Sequence, residues 1–196
     1  MKKIFLTLFY LLFLNSCVGS STSGVFGTGV SIALDPRTLG TQIDDSIMQK
    51  NLIARLALTE KKYLIDTSIK VLDGRIFLNG KVDEPEEKLR ITKMAWETKG
   101  TRSVKNNIVI RKEFSFFDVA KDVLITSQLR TALILNKKVK AANFNIDTVN
   151  KKTYVFGIAY TEEEKKEIIQ EAKQIVDLKE FVTSILLVSD LSRQKE

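Results

Sequence analysis

Apolar residues recur along this chain in two periods, and the order of those periods occurs twice. Met48, Leu52 and Leu56 stand at i, i+4 and i+8, and Ile125, Leu129 and Leu133 repeat that spacing. Each set lays one apolar stripe along a helix. An alternating segment follows each stripe, Thr67-Ser68-Ile69-Lys70-Val71 in the first copy and Phe144-Asn145-Ile146-Asp147 in the second. A period of two predicts a strand with one buried face. Turn residues come next, Asp73-Gly74 and Asn150-Lys151-Lys152. A second apolar strand then runs into a glycine, Ile76-Phe77-Leu78-Asn79-Gly80 and Tyr154-Val155-Phe156-Gly157. Charged helices are predicted over residues 86–99 and 162–176. Last strands at Val104…Ile108-Val109-Ile110 and Val182…Leu186-Leu187-Val188 close the copies.

The spacing identifies a duplication. Leu52 precedes Gly80 by 28 positions, and Leu129 precedes Gly157 by 28. The last strands are offset by 78 rather than 77, which places a one-residue insertion near Asp177-Leu178. Two glycines in register point to a geometric need, a backbone approach that a side chain would block. The expected fold is α+β, two tandem αββαβ units, each with two helices packed on one face of a small mixed sheet. Residues 37–112 and 113–190 form the units and residues 191–196 a tail. Units of about 70 residues are small but able to bury a core.

The amino end carries a different signal. Lys2 and Lys3 precede an uncharged stretch, residues 4–14, dominated by Leu, Phe and Ile. It has the length of a signal-peptide core and is too short to span a bilayer. Leu14-Asn15-Ser16-Cys17 follows: a small residue and then cysteine, the lipobox arrangement of bacterial lipoprotein signals. Asn15 is less typical there. Residues 1–16 are expected to be removed as a signal peptide, Cys17 to be lipidated, and residues 17–36, rich in Gly, Ser and Thr, to serve as a flexible tether. Cys17 is the single cysteine, so no internal disulfide is possible.

The run Ile69…Gly74…Ile76-Phe77-Leu78-Asn79-Gly80-Lys81-Val82, the helix through Met94-Ala95, and Gly100…Val104-Lys105-Asn106-Asn107-Ile108 resemble the BON domain. The second copy keeps Gly157 and Val182…Leu186 but has Asp177-Leu178 where a glycine matching Gly100 is expected. Signal, lipobox and paired units together resemble the tandem-BON outer-membrane lipoproteins of the DolP (YraP) type. Arg37-Thr38-Leu39-Gly40-Thr41-Gln42-Ile43-Asp44-Asp45 is similar to the segment that introduces their first unit. The resemblance implies an outer-membrane protein on the periplasmic face that supports envelope integrity, binds anionic phospholipid through its second unit, and is not an enzyme. Val18 after the cysteine, in place of aspartate, implies release to the outer membrane.

Charge narrows the candidate surface. The formal net charge is +7, but residues 113–196 carry 13 basic and 13 acidic side chains. Their arrangement is what matters: no acid lies between Asp122 and Asp147, where Arg130, Lys137, Lys138 and Lys140 fall. The aromatic run Phe114-Ser115-Phe116-Phe117 precedes this stretch, and Leu124 and Gln128 lie off the Ile125–Leu129–Leu133 stripe. Phe116, Phe117, Leu124, Gln128, Arg130, Lys137, Lys138 and Lys140 are therefore the candidate phospholipid-binding residues. Leu124 stands where relatives can place a tryptophan. The competing reading puts the phenylalanines in the seam between units and makes the protein a periplasmic adaptor or chaperone.

With no histidine, imidazole acid–base chemistry and imidazole metal ligation are excluded. No catalytic or metal site is expected, and no cofactor beyond the covalent lipid on Cys17. Trp96 is expected in the first core, Asp44-Asp45 as a cap and first turn before Met48, and Glu162-Glu163-Glu164 as an acidic first turn. No nucleic-acid motif is present, and neither nucleic acid nor a small-molecule substrate is an expected partner.

Overall fold

A computed structural model of the chain describes residues 35–111 and 116–193. The signal peptide, Cys17 and nearly all of the tether lie outside these residues, as do Phe114 and Ser115.

In the first repeat, α1 (Leu39–Thr59) and the single turn α2 (Tyr63–Asp66) lead into β1 (Thr67–Leu72) and β2 (Arg75–Val82). Helix α3 (Pro85–Trp96) and the short strands β3 (Ser103–Asn106) and β4 (Val109–Ile110) follow. In the second, α4 (Phe116–Leu135) leads into β5 (Phe144–Val149), β6 (Lys152–Ala159), α5 (Glu162–Lys173) and β7 (Glu180–Leu187). The first strand pair of each repeat is antiparallel and the last strand joins in parallel, giving the orders β1-β2-β3, with β4 also on β2, and β5-β6-β7. The αββαβ expectation is met in both.

The helix stripes bury as their spacing requires. Met48, Leu52 and Leu56 pack with Ile76, Leu78, Ile91 and Ala95 in the first core; Leu129 and Leu133 pack with Val155, Ile168 and Ala172 in the second. Gly80 lies opposite Thr67 and Gly157 opposite Phe144, equivalent places in the two hairpins.

Buried carboxylates, not anticipated from the sequence, fix each hairpin. Asp45, expected in a first turn, lies well inside α1, which begins six residues earlier. Its side chain is buried and accepts the backbone N–H groups of Asp73 and Gly74 at 2.7 and 2.8 Å. Asp122, 77 positions on, accepts those of Asn150 and Lys151 at 2.9 and 2.7 Å. The turns need this help because both central residues are left-handed: φ is 52° and 72° at Asp73 and Gly74, and 54° and 62° at Asn150 and Lys151. Two such residues define the hairpin turn that favours Asn-Gly or Asp-Gly. Lys151→Gly should therefore raise stability by about 1 kcal/mol, read as a later urea midpoint with an unchanged slope. Asp177 takes the place of Gly100 with φ 67° against 92°, so an aspartate supplies the conformation for which a glycine was sought.

The two sheets meet through the faces their helices leave uncovered. Phe77 and Phe156 stack at 5.3 Å between centroids and pack with Leu72. Buried Asn79 donates to Asp147 at 2.9 Å and accepts from Asn107 at 2.9 Å. Strand β6 is thus covered on both sides, which explains its nearly unbroken apolar run.

Residues 191–193, expected as a tail, dock on the first repeat. Leu191 is buried, and the Ser192 N–H and hydroxyl both donate to Asp73, which Arg75 and Arg102 also engage. Burial pushes the Asp73 carboxyl up, but Ser192 and the two guanidiniums outweigh it and hold the group below its ordinary range. A depressed carboxylate stabilises the fold above its unfolded value and loses that contribution as pH falls through the folded one. Amides of residues 190–193 should thus lose exchange protection at a pH below the ordinary aspartate range. In Asp73→Asn they should already be less protected at neutral pH.

Candidate functional site

Helix α4 is apolar on both sides. Toward the core it buries Asp122, Ile125, Leu129 and Leu133. The opposite side presents Phe116 (79% exposed), Phe117 (82%), Val119, Val123, Leu124 (54%), Ile134 (65%) and Leu135. At 100° per residue these fall across an arc that otherwise holds Ala120, Ser127, Arg130 and Thr131. A surface helix normally turns a charged face outward. This one exposes two phenylalanines and five aliphatic side chains instead. Val119, Val123 and Ile134 were not anticipated, because exposure cannot be told from periodicity when residues all round a helix are apolar.

Phe116 and Phe117 lie outside the seam, which Leu72, Phe77 and Phe156 fill instead. Gln128 is half-buried, and its Oε1 has no hydrogen-bond partner among the described residues.

The basic segment after α4 is built by its C-terminal turn. Buried Val139 pins the loop to the second core, and Asn136 donates to Glu167 and Glu171 on α5 at 3.2 and 2.7 Å. This separates the four cations. Lys138 pairs with Glu167 at 2.6 Å, and that hydrogen bond raises the lysine's pKa and lowers the glutamate's. The Lys140 ammonium lies 3.8 Å from the centroid of the Tyr160 ring, while the Lys140 N–H donates to Glu164. Arg130 and Lys137 are exposed and make no ion pair among the described residues. The site thus joins an apolar helix face to two unengaged cations and two whose charge is partly compensated.

Glu162, Glu163 and Glu164 form the first turn of α5, as expected, and Glu164 is also buried, accepting the N–H groups of Lys140 and Tyr160. Glu87, 77 positions earlier, accepts those of Asp83 and Glu84. Trp96 corrects the expectation of a core residue. It is 54% exposed on α3, along the face that also exposes Leu89, while Ile91 and Ala95 take the buried positions. Among the described residues there is no cluster of acidic or sulfur side chains able to hold a metal, and no helix long and apolar enough to cross a membrane.

The BON domain family matches residues 44–112 and 121–185, one domain on each repeat. An "Uncharacterized protein in gshII 5'region" of Anaplasma centrale is 29% identical over 121 residues, 61% of this chain and 80% of that protein. The "Outer membrane lipoprotein DolP" of Haemophilus influenzae is 27% identical over 160 residues, 80% of this chain and 81% of that one. The "21 kDa hemolysin" of Actinobacillus pleuropneumoniae is 22% identical over 125 residues, 63% and 64% of the two chains. The matched spans coincide with the two αββαβ repeats and take in both glycines, both hairpins and all of α4 from Lys121 onward, so the chain belongs to the BON domain family and carries two BON domains in tandem.

Proposed function

We propose that this protein is a lipid-anchored lipoprotein of the outer membrane, facing the periplasm, whose second BON domain binds anionic phospholipid through α4 and so supports envelope integrity. The carrying observation is the outer face of α4, where exposed Phe116, Phe117, Val123 and Leu124 lie on the same helix as Arg130 and just upstream of Lys137. Apolar side chains that enter the acyl boundary, flanked by cations that meet phosphate, are what an anionic bilayer surface attracts. The similarity to an outer-membrane lipoprotein over 80% of the chain supports the location, and the lipobox at Cys17 supports the anchor. The two parts are complementary. Acyl chains hold the protein at the bilayer, and tethering raises the effective concentration of a weakly binding helix.

The same apolar face would serve an adaptor that docks another envelope protein, and one experiment separates the readings. The mature chain carrying Cys17→Ala should incorporate no labelled fatty acid, leave the membrane fraction, and co-sediment with anionic vesicles at low salt. Its recovery should fall with zwitterionic vesicles and at high salt. Equal recovery with both vesicle types, or with neither, would remove the phospholipid reading and leave the adaptor. Fatty-acid labelling that persists in Cys17→Ala would remove the anchor.

A further inference from the structure

The two repeats differ at one edge. In the first, the outermost position of the sheet is divided between β3, four residues, and β4, two residues, with Lys105 on the first and Arg111 directly after the second. Interruption, short length and charge are the devices that keep a sheet edge from pairing with another chain. In the second repeat the same position is β7, eight residues in unbroken parallel register with β6 from Lys152↔Glu180 to Ala159↔Leu187. From Phe181 to Leu187 it holds no charged residue, no proline and no glycine. Among the described residues no strand pairs with its outer side. A parallel strand directs the N–H and C=O groups of alternate residues away from its neighbour, so β7 offers a ready ladder for one more strand.

The sequence of β7 fits itself. Phe181, Ile185 and Leu187 pack toward the core of their own domain, which sets Val182, Ser184 and Leu186 on the other face. Opposite residues of an antiparallel pair share a face. A two-fold axis perpendicular to the sheet therefore has to pass midway between the two copies of one residue, and Ser184 is the middle of the uncharged run. Pairing about Ser184 sets Phe181 against Leu187, Val182 against Leu186 and Thr183 against Ile185. At the strand ends Glu180 then falls opposite Val188 and Lys179 opposite Ser189. Every pair matches in face, the aromatic meets an aliphatic, and no like charges lie directly opposite.

We infer that β7 is a self-association edge, at which two copies of this chain pair antiparallel about Ser184 and join their second-domain sheets into one continuous six-stranded sheet. The contact is isologous and closes at two copies, so it yields dimers and not fibres. Chains confined to one membrane leaflet would meet at a raised effective concentration, which suits a short backbone-mediated contact.

Cysteine crosslinking of the full mature chain in membranes tests this directly. Ser184→Cys places two thiols across the axis, within the Cα separation a disulfide accepts. Mild oxidation should give a product of doubled mass. Asn145→Cys, on β5 at the opposite edge of the same sheet, should remain monomeric. Wild type, with Cys17 its single cysteine, reports any crosslinking from that position. Sedimentation of the wild-type chain in detergent should show a concentration-dependent doubling of mass, which Ser184→Lys abolishes by setting two ammonium groups across the axis. No Ser184→Cys dimer together with a monomer at every concentration overturns the inference. So does a dimer that forms equally through Asn145→Cys, or one that Ser184→Lys leaves intact. If Ser184→Lys fails to fold, the cysteine pair and the wild-type mass still decide the matter.

Discussion

Gly80→Ala is expected to destabilise the protein by about 4 kcal/mol, and to do so through backbone geometry rather than lost contacts. A Cβ at this position would overlap the Asp66 carbonyl oxygen and lie 2.8 Å from the Thr67 Cα. Thr67 opens the β1–β2 ladder opposite Gly80 itself, and Asp66 is bonded directly to it at the end of α2, so neither can move without opening the hairpin. The φ of 129° adds strain, because L side chains are rarely found there. Gly157→Ala meets the same obstacle, with its Cβ 2.5 Å from the Phe144 ring and 3.0 Å from the Phe144 Cα. It lacks the positive φ, so about 3 kcal/mol is expected. Gly40→Ala is the control. Its Cβ would meet only Arg193, at an ordinary 3.7 Å, and it lies in a helix where alanine is the better residue. It should stabilise by roughly 0.5–1 kcal/mol. Urea titrations of the three variants read all of these. A Gly80→Ala protein as stable as wild type would show that the close approach does not constrain the hairpin.

These glycines also show what was legible in the sequence. A register of 77 positions equated Gly80 with Gly157, and the structure places both at the same point of equivalent hairpins. The same register equates Asp45 with Asp122 and Glu87 with Glu164. Those matches could have been read as buried acceptors, since an acid kept on the core side of an amphipathic helix has to find donors. Pattern alone does not single them out, because a lone acid in a helix reads equally well as a cap or a solvated side chain. The seam at Phe77 and Phe156 was out of reach for another reason. Alternation tells which residues share a face of a strand, and it does not say what covers the second face. Trp96 failed on the same ground, since period alone put it beside the buried stripe and only packing decided its exposure. On α4 the pattern lost its power altogether, because apolar residues surround the helix and the stripe that packs inward is set by β5 and α5.

The exposed side of α4 carries the second large expected effect: Phe117→Glu with Leu124→Glu should abolish binding to anionic vesicles while leaving the fold intact. Both residues point away from the Ile125–Leu129–Leu133 stripe, so their replacement opens no cavity. Leu129→Glu, at a position with no exposure, should instead unfold the second domain. Relative magnitudes decide which substitutions matter most. Inserting an apolar side chain of this size is worth about 1.5–3 kcal/mol when burial is complete, so Phe116, Phe117 and Leu124 could supply roughly 4–6 kcal/mol even if incompletely buried. A lysine near an anionic surface is worth about 1 kcal/mol. Lys138 is already engaged by Glu167 and Lys140 lies against Tyr160, so the full basic contribution rests chiefly on Arg130 and Lys137. Replacing Lys137, Lys138 and Lys140 by Glu should thus abolish the preference for anionic over zwitterionic vesicles and the salt dependence. The Phe117 and Leu124 substitutions should remove binding to every vesicle type. If Cys17 is acylated as proposed, neither set should release the protein from membranes, because that lipid would do the anchoring. Vesicle co-sedimentation with circular dichroism on the same samples measures both properties. A folded double variant that binds like wild type would mean that α4 does not enter the bilayer, and its apolar face would then belong to a protein partner.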